Sequence, residues 1–429
     1  MRLDPRPQLR SVATAVSELD RSILVLASIA FISQTGVSIM LPLLPLFAIE
    51  LGATPRDLGL MVSLFAVTNT VGQLGSGAMI GRISARRQMP LGQAAYAAAN
   101  LLIATARAAT PLILFRALAG FGGGLTIIAE RLYVARVADR ARLAFTNGIL
   151  SAAGSSGSVL GPVIGGFLAL SDLRAPFIAV GITATIAGLA ASRFLPPEPR
   201  IEPTTDEGAT GAVVPGAAAG SSLIGRLTEA MRGVRPLGTL ALWNLAFNAA
   251  FGGWITTFAP FAHDRLGMPV NQVTLIFGMF GLGSIVLGPW LSRRADLGGR
   301  RRMVAIGSVL ILVNLVAMIL AAPPVLIFAS AIVAGGGLAA AQSSWFALLT
   351  IATDGGRRGR SFGLVTALSN LGVVAGATLA SEVWERIGID QALIVAAGFV
   401  VLGIASLSLV HEGRLTRPAG PSASPSATV

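Results

Sequence analysis

The 429-residue chain contains no cysteine and no lysine. The first absence excludes disulfides, thiol catalysis and thiolate metal ligands, and it leaves the compartment open. The second means that the 32 basic residues, set against 20 acidic ones for a formal charge of +12, are all arginine. Charge of either sign is scarce, at 12% of the chain against about 25% in a soluble protein. Histidine occurs only twice. No metal-ligand spacing, nucleophile constellation or phosphate-binding loop with its lysine can be found. An enzyme reading therefore has no residues to carry it, and neither a metal nor a cofactor is implied. A nucleic-acid partner is also disfavoured, because the arginines sit in short loops between apolar stretches and form no basic face.

What the chain has in abundance is apolar sequence: 53% hydrophobic residues and a mean hydropathy of +0.74. It falls into about twelve apolar stretches of roughly 20 residues, each long enough to cross ~30 Å of hydrocarbon. The expected fold class is therefore all-α integral membrane, with the lipid bilayer as solvent. The first stretch is too long for a signal h-region and lacks a small-residue cleavage site, so it is expected to be retained. Placing both termini in the cytoplasm turns most loop arginines inward, among them Arg82, Arg86, Arg87, Arg136, Arg293, Arg294 and Arg300 to Arg302. The opposite side then keeps only Arg56, Arg107, Arg174, Arg265 and Arg386. That asymmetry fits an even number of crossings in a cell membrane.

Between Pro196 and Pro236 the composition turns to Pro, Thr, Gly, Ala and acidic residues, a stretch expected to act as a linker. Within it Leu223, Ile224, Leu227, Met231 and Val234 repeat at helical spacing, which predicts a short amphipathic helix on the membrane surface. The domain expectation is a cytoplasmic segment 1–21, a six-helix bundle 22–195, the linker 196–236, a second bundle 237–411 and a tail 412–429. The bundles read as internal repeats. Gly148, Gly157, Gly161 and Gly165 recur as Gly363, Gly372, Gly376 and Ala380. Likewise Gly122 to Leu125 recur as Gly335 to Leu338, and Gly72, Gly77 and Arg82 as Gly283, Gly288 and Arg293. Parallel repeats of this kind build two pseudo-symmetric bundles.

The first copy carries the densest pattern, G-x8-G-x3-G-P-x2-G-G from Gly148 through Gly157, Gly161, Pro162, Gly165 and Gly166. Gly154, Gly157, Gly161 and Gly165 fall on one helical face, where small residues let a neighbouring backbone approach. Pro162 removes one main-chain hydrogen bond and predicts a bend. Gly148 lies about half a turn off that face, since nine residues at ~100° each rotate it away.

This pattern resembles, at every defined position, the fifth-helix antiporter motif of the major facilitator superfamily. Across residues 20 to 411 the chain resembles a twelve-helix member of that superfamily, nearest to its drug:proton antiporter branch. Arg116-Ala-Leu-Ala-Gly120-Phe-Gly122 resembles the fourth-helix motif, and the resemblance implies a proton-coupling role for Arg116. The alternative reading is an arginine snorkelling toward the interface. The loop after the second helix, with Arg82, Arg86 and Arg87, resembles the family's inner gating motif, but Gly81 stands where that motif has an acid.

Proton antiport needs a carboxylate whose proton affinity is raised by a site of low dielectric. Glu130 is the candidate, with an ion pair to Arg131 as the competing reading. It lies 14 residues from Arg116, roughly 21 Å along a helix, too far for direct pairing. Glu50 and Glu382 read as solvated residues near the outer ends. Candidates for a central, mostly neutral substrate cavity are Gln34, Asn69, Asn244, Asn248, Gln342 and Asn370, with Trp254, Phe247, Phe251 and Trp345 as aromatic walls. Each of these also reads as a helix–helix contact.

The expected function is proton-driven export of small amphipathic compounds by a monomer, the halves rocking around a midplane site. The alternatives are import or facilitated passage of a nutrient such as a sugar or organic anion, and a non-transporting membrane scaffold.

Overall fold

The computed structural model describes residues 21–79, 82–137, 143–198, 238–352 and 358–409. The predicted amphipathic helix, Gly81, the tail 412–429 and all of the linker beyond Glu198 lie outside these residues. Fourteen α-helices and no strand occur among the described residues. Continuous apolar sequence in lipid leaves the backbone no partner but itself, and the helix satisfies it locally. The helices are α1 Arg21–Met40, α2 Leu44–Glu50, α3 Pro55–Ala78, α4 Ala85–Thr105, α5 Ala109–Val137, α6 Leu143–Ala169 and α7 Ala175–Phe194, followed by α8 Gly238–Pro260, α9 Val270–Val286, α10 Gly288–Gly298, α11 Arg300–Ile319, α12 Pro324–Ala352, α13 Arg358–Arg386 and α14 Ile389–Leu407.

Prolines mark the breaks. Pro42 falls between α1 and α2, and Pro45 and Pro289 sit in the first turns of α2 and α10, where a missing N–H costs nothing. Eight helical stretches, α1 and α2 counting as one, are long and apolar enough to cross a membrane; the pair α9 and α10, bent by 47° around Leu287, adds a ninth. Three further helices, α4, α8 and α13, have the length at 21, 23 and 29 residues. They are more polar: α4 opens on Arg86, Arg87 and Gln88, α8 carries Asn244 and Asn248, and α13 opens on Arg358 and Arg360. With them the described helices make up the twelve crossings expected from the sequence.

The chain divides into two compact units. The first holds α1, α2, α4 to α7, the part of α3 from Val67 onward, and Pro269–Gly278 at the start of α9. The second holds Ala53–Ala66, α8, the rest of α9, and α10 to α14. In the first unit α1 packs on α6 and α7, and α4 on α5 and α7. In the second α8 packs on α13 and α14, and α11 on α12 and α14. The same four pairings recur, as an internal repeat requires.

Glycine makes these pairings close. A Cβ on Gly72 would lie 2.2 Å from the Phe121 carbonyl oxygen, and one on its repeat partner Gly283 would lie 1.8 Å from that of Ile332. The interior of the first unit gathers Leu26, Met89, Leu132 and Tyr133, and that of the second Trp243, Val304, Trp345 and Leu348. Outward faces stay apolar: Leu114, Phe167, Leu189 and Val325 are all more than 60% exposed. Faces of this kind are costly in water and natural against acyl chains.

Candidate functional site

The glycine–proline face of α6 lies on the backbone of α1. A Cβ on Gly157 would meet the Phe31 carbonyl oxygen at 2.7 Å, one on Gly161 that of Thr35 at 2.6 Å, and one on Gly165 that of Ile39 at 2.4 Å. Pro162 and these three glycines are buried. Gly154, grouped with them by periodicity, is different: its nearest neighbour would be Gln34 Cγ at 4.0 Å. Gly166 faces another element, where its Cβ would press on the Thr274 hydroxyl of α9 at 2.1 Å. Gly148 falls within α6, but its surroundings lie outside the described residues. In the second unit Gly372 and Gly376 approach the α8 carbonyls of Leu245 and Ala249 at 2.5 and 1.8 Å by the same measure, with buried Ala377 in the place of Pro162.

The amides divide into those engaged in packing and those that are more open. Asn69 is buried, donates to the Gly120 carbonyl at 3.2 Å and accepts from Gln73 at 2.7 Å, so it ties α3 to α5. Asn244 is buried and donates to Ser369 Oγ at 2.8 Å, tying α8 to α13. Asn248 continues the chain by donating to the Asn244 carbonyl at 2.8 Å. Gln34 is half-buried and contacts Ser38 Oγ at 3.5 Å. Asn370 is half-buried and Gln342 exposed.

The aromatic residues also separate. Trp254 is half-buried and gathers Phe258, Phe280 and Phe251 at ring separations of 4.9, 5.6 and 6.0 Å. Trp345 is 2% exposed and donates to the Leu240 carbonyl at 3.1 Å. It is a core residue and offers no wall to a cavity.

Arg116 is 6% exposed, in the first third of α5. Its Nη1 reaches Met40 Sδ at 3.6 Å, and the buried Tyr96 hydroxyl lies within electrostatic reach of the guanidinium. Tyr96 and Asn100 of α4 are buried with it. A snorkelling arginine keeps its head in water or headgroups, and this one does not. Glu130 is half-buried toward the other end of α5. The ion pairs among the described residues join Arg56 and Arg386 to Glu382, Arg136 to Glu198 and Arg265 to Asp390. Glu130 belongs to none of them.

Two carboxylates matter more than sequence reading suggested. Glu382 is not a merely solvated residue: it accepts a forked pair from Arg56, Nε at 2.9 Å and Nη2 at 3.0 Å, and also binds Arg386 one turn on. Nearby, Ser63 and Thr378 hydroxyls pair at 3.1 Å, and a Cβ on Gly59 would strike the Ser381 hydroxyl at 2.1 Å. The start of α3 is thereby pinned to the end of α13. The other is Glu198, four residues past the end of α7. One oxygen accepts the Arg86 backbone N–H and caps α4; the other pairs with Arg136 on α5. The Tyr133 hydroxyl donates to the Pro196 carbonyl at 3.1 Å, and Arg86 Nη2 to that of Ser192 at 3.0 Å. Arg82 is exposed. Only the proline-flanked isolation of Glu198 hinted at it. Glu198→Gln is expected to cost the purified protein about 1–3 kcal/mol of stability, read as a lower melting temperature. In a double-mutant cycle with Arg136→Gln the losses should be far from additive; additive losses would show that the pair contributes nothing.

The structure thus defines a helical membrane carrier built from two repeated units. The family model of the Major Facilitator Superfamily matches residues 26–271 and 242–428, and the chain belongs to this superfamily. It is a multi-pass membrane protein of a transporter family. Its sequence is 28% identical over 169 residues to the quinolone resistance protein NorA of Staphylococcus aureus (strain MRSA252), covering 39% of this chain and 44% of that one. It is 21% identical over 309 residues to multidrug resistance protein 2 of Bacillus subtilis (strain 168), covering 70% and 74%. The chain therefore matches less than half the length of NorA. The solved nucleoside transporter NupG has a TM-score of 0.73 at 14% identity, covering 90% of this chain and 98% of its own. The human organic anion transporter MFSD10 (TETRAN) has a TM-score of 0.62 at 20% identity, covering 90% and 99%. These two likenesses are of fold.

Proposed function

We propose that the protein exports small amphipathic compounds by proton antiport, exposing its site to one side of the membrane and then to the other. The observation that carries this reading is the glycine–proline face of α6, seated on the α1 backbone along Gly157, Gly161 and Gly165. Packing this close seals the helix pair against leakage, while Pro162 leaves α6 one hydrogen bond short and able to bend. Sequence likeness to two drug-resistance proteins supports the same substrate class. Trp254 with Phe251 and Phe280 offers apolar walls, and Gln34, Asn248, Asn370 and Gln342 supply hydrogen bonding without fixed charge. The protein works as a monomer in the cell membrane with both termini cytoplasmic, its bundles 22–195 and 237–411 joined by the linker 196–236.

Glu130 is the proposed proton carrier, a half-buried carboxylate within α5 that belongs to none of the ion pairs named above among the described residues. A second reading, passage of a neutral or anionic nutrient, draws on the amide-rich polar set and on the fold shared with nucleoside and organic anion transporters.

Proton movement in inside-out vesicles decides between them. With wild type, a lipophilic compound should collapse an imposed pH gradient, and with Glu130→Gln it should not. Compound movement that leaves the gradient intact would sink antiport and leave facilitated passage standing.

A further inference from the structure

A cavity of about 620 Å³ opens between the start of α11 and the end of α14. On the α11 side it is lined by Gly299, Arg301, Arg302 and Ala305, and on the α14 side by Ile404, Leu407 and Ser408. We propose that it binds the phosphate headgroup of an anionic phospholipid.

Three features of the cavity support this. The first is charge: two arginines line it and, among the described residues, no acidic residue does. Arginine matches phosphate oxygens with two parallel donors, and basic pockets between membrane helices select anionic headgroups. The second is the backbone. Gly299 holds φ 93° and starts α11 without a side-chain cap. The first-turn N–H groups and the positive end of the helix dipole are thus turned toward the same end as the arginines. A side chain at Gly299 would be strained in this conformation.

The third feature separates a lipid from a soluble anion. Beyond the arginines the lining turns apolar at Ala305, Ile404 and Leu407. From there exposed apolar stripes run along both helices: Ile306, Val309, Val313 and Val316 on α11, and Val401 and Ile394 on α14. On α11 these positions repeat at helical spacing, so that stripe is continuous. From Arg302 to Val316 the track covers roughly 21 Å at 1.5 Å per residue. That is more than one leaflet of a hydrocarbon core ~30 Å thick. A headgroup held by Arg301 and Arg302 would place its acyl chains on this track.

The test is native mass spectrometry of the purified full chain, titrated with phosphatidylglycerol or with phosphatidylcholine of the same acyl chains. Wild type should hold phosphatidylglycerol at least about tenfold more tightly. Arg301→Gln combined with Arg302→Gln should remove that preference, and lysine at both positions should largely restore it. Ala305→Leu, which fills the cavity without changing charge, should also weaken phosphatidylglycerol. Melting curves on the same samples identify any variant that fails to fold, in which case Ala305→Leu and the lysine pair decide. An equal loss on Arg293→Gln with Arg294→Gln would mean a diffuse basic surface and overturn the site. So would unchanged binding in Ala305→Leu. Displacement by inorganic phosphate at matched concentration would assign the cavity to a soluble anion and overturn the lipid.

Discussion

Gly161→Ala is expected to abolish transport and lower the melting temperature, while Gly154→Ala, two turns away on the same helix, leaves both unchanged. The added methyl at position 161 would sit 2.6 Å from both the Thr35 carbonyl oxygen and Ser38 Cβ, and 3.0 Å from the Ile39 nitrogen. Two of these three atoms are backbone and cannot rotate away. The helices must part by nearly 1 Å to restore ordinary contact, and overpacking of this kind costs about 1–3 kcal/mol. Leucine at the same position should prevent accumulation of folded protein. At Gly154 the nearest atom is 4.0 Å away and belongs to a flexible side chain, so a methyl fits. In the second unit Gly376→Ala meets the Ala249 carbonyl oxygen at 1.8 Å and should be at least as destabilising. Melting curves and transport assays on the three alanine variants check this together. Equal behaviour of Gly154→Ala and Gly161→Ala would mean that α1 does not lie on this face of α6.

Arg116→Met is expected to separate stability from function: transport should fall by roughly a hundredfold, the order of loss when a buried donor is removed from a working site, while the melting temperature holds or rises. Arg116 is 6% exposed and lies among Met40, Tyr96 and Asn100. Keeping a guanidinium there forfeits hydration, and an apolar residue of similar length often stabilises such a position. A charge retained against that cost points to use in the transport cycle. Arg116→Lys keeps the charge and loses the planar fork, so it should retain part of the activity. If Arg116→Met transports normally, the arginine is structural. If the variant unfolds, Arg116→Lys carries the test, because it preserves both charge and most of the volume.

The contrast between Gly154 and Gly161 shows how far periodicity reaches. Spacing placed both on one face of α6. Spacing carries no information on where the neighbouring helix crosses, and α1 reaches backbone contact only from Gly157 onward. The amides show the same limit. Asn69 and Asn244 read equally well as substrate contacts or as helix ties, and the hydrogen bonds to Gly120 and Ser369 put them to work in packing. Trp345 looked like a cavity wall because aromatic residues on a membrane helix serve either purpose; its burial beside Trp243 placed it in the core.

The carboxylates depended most on tertiary structure. Glu382 stands 326 positions from Arg56, and Glu198 stands 112 from Arg86. No local pattern links residues so far apart.

The sequence by itself determined the helical class, the twelve crossings, the repeat and the superfamily. Each follows from apolar length, period or motif, which are properties of neighbouring residues in a solvent that forces helices. Only the tertiary structure decided which glycines touch backbone, which acids are paired and which arginines line a cavity. Those outcomes depend on where two distant helices cross, and a displacement of about 1 Å there separates contact from clash.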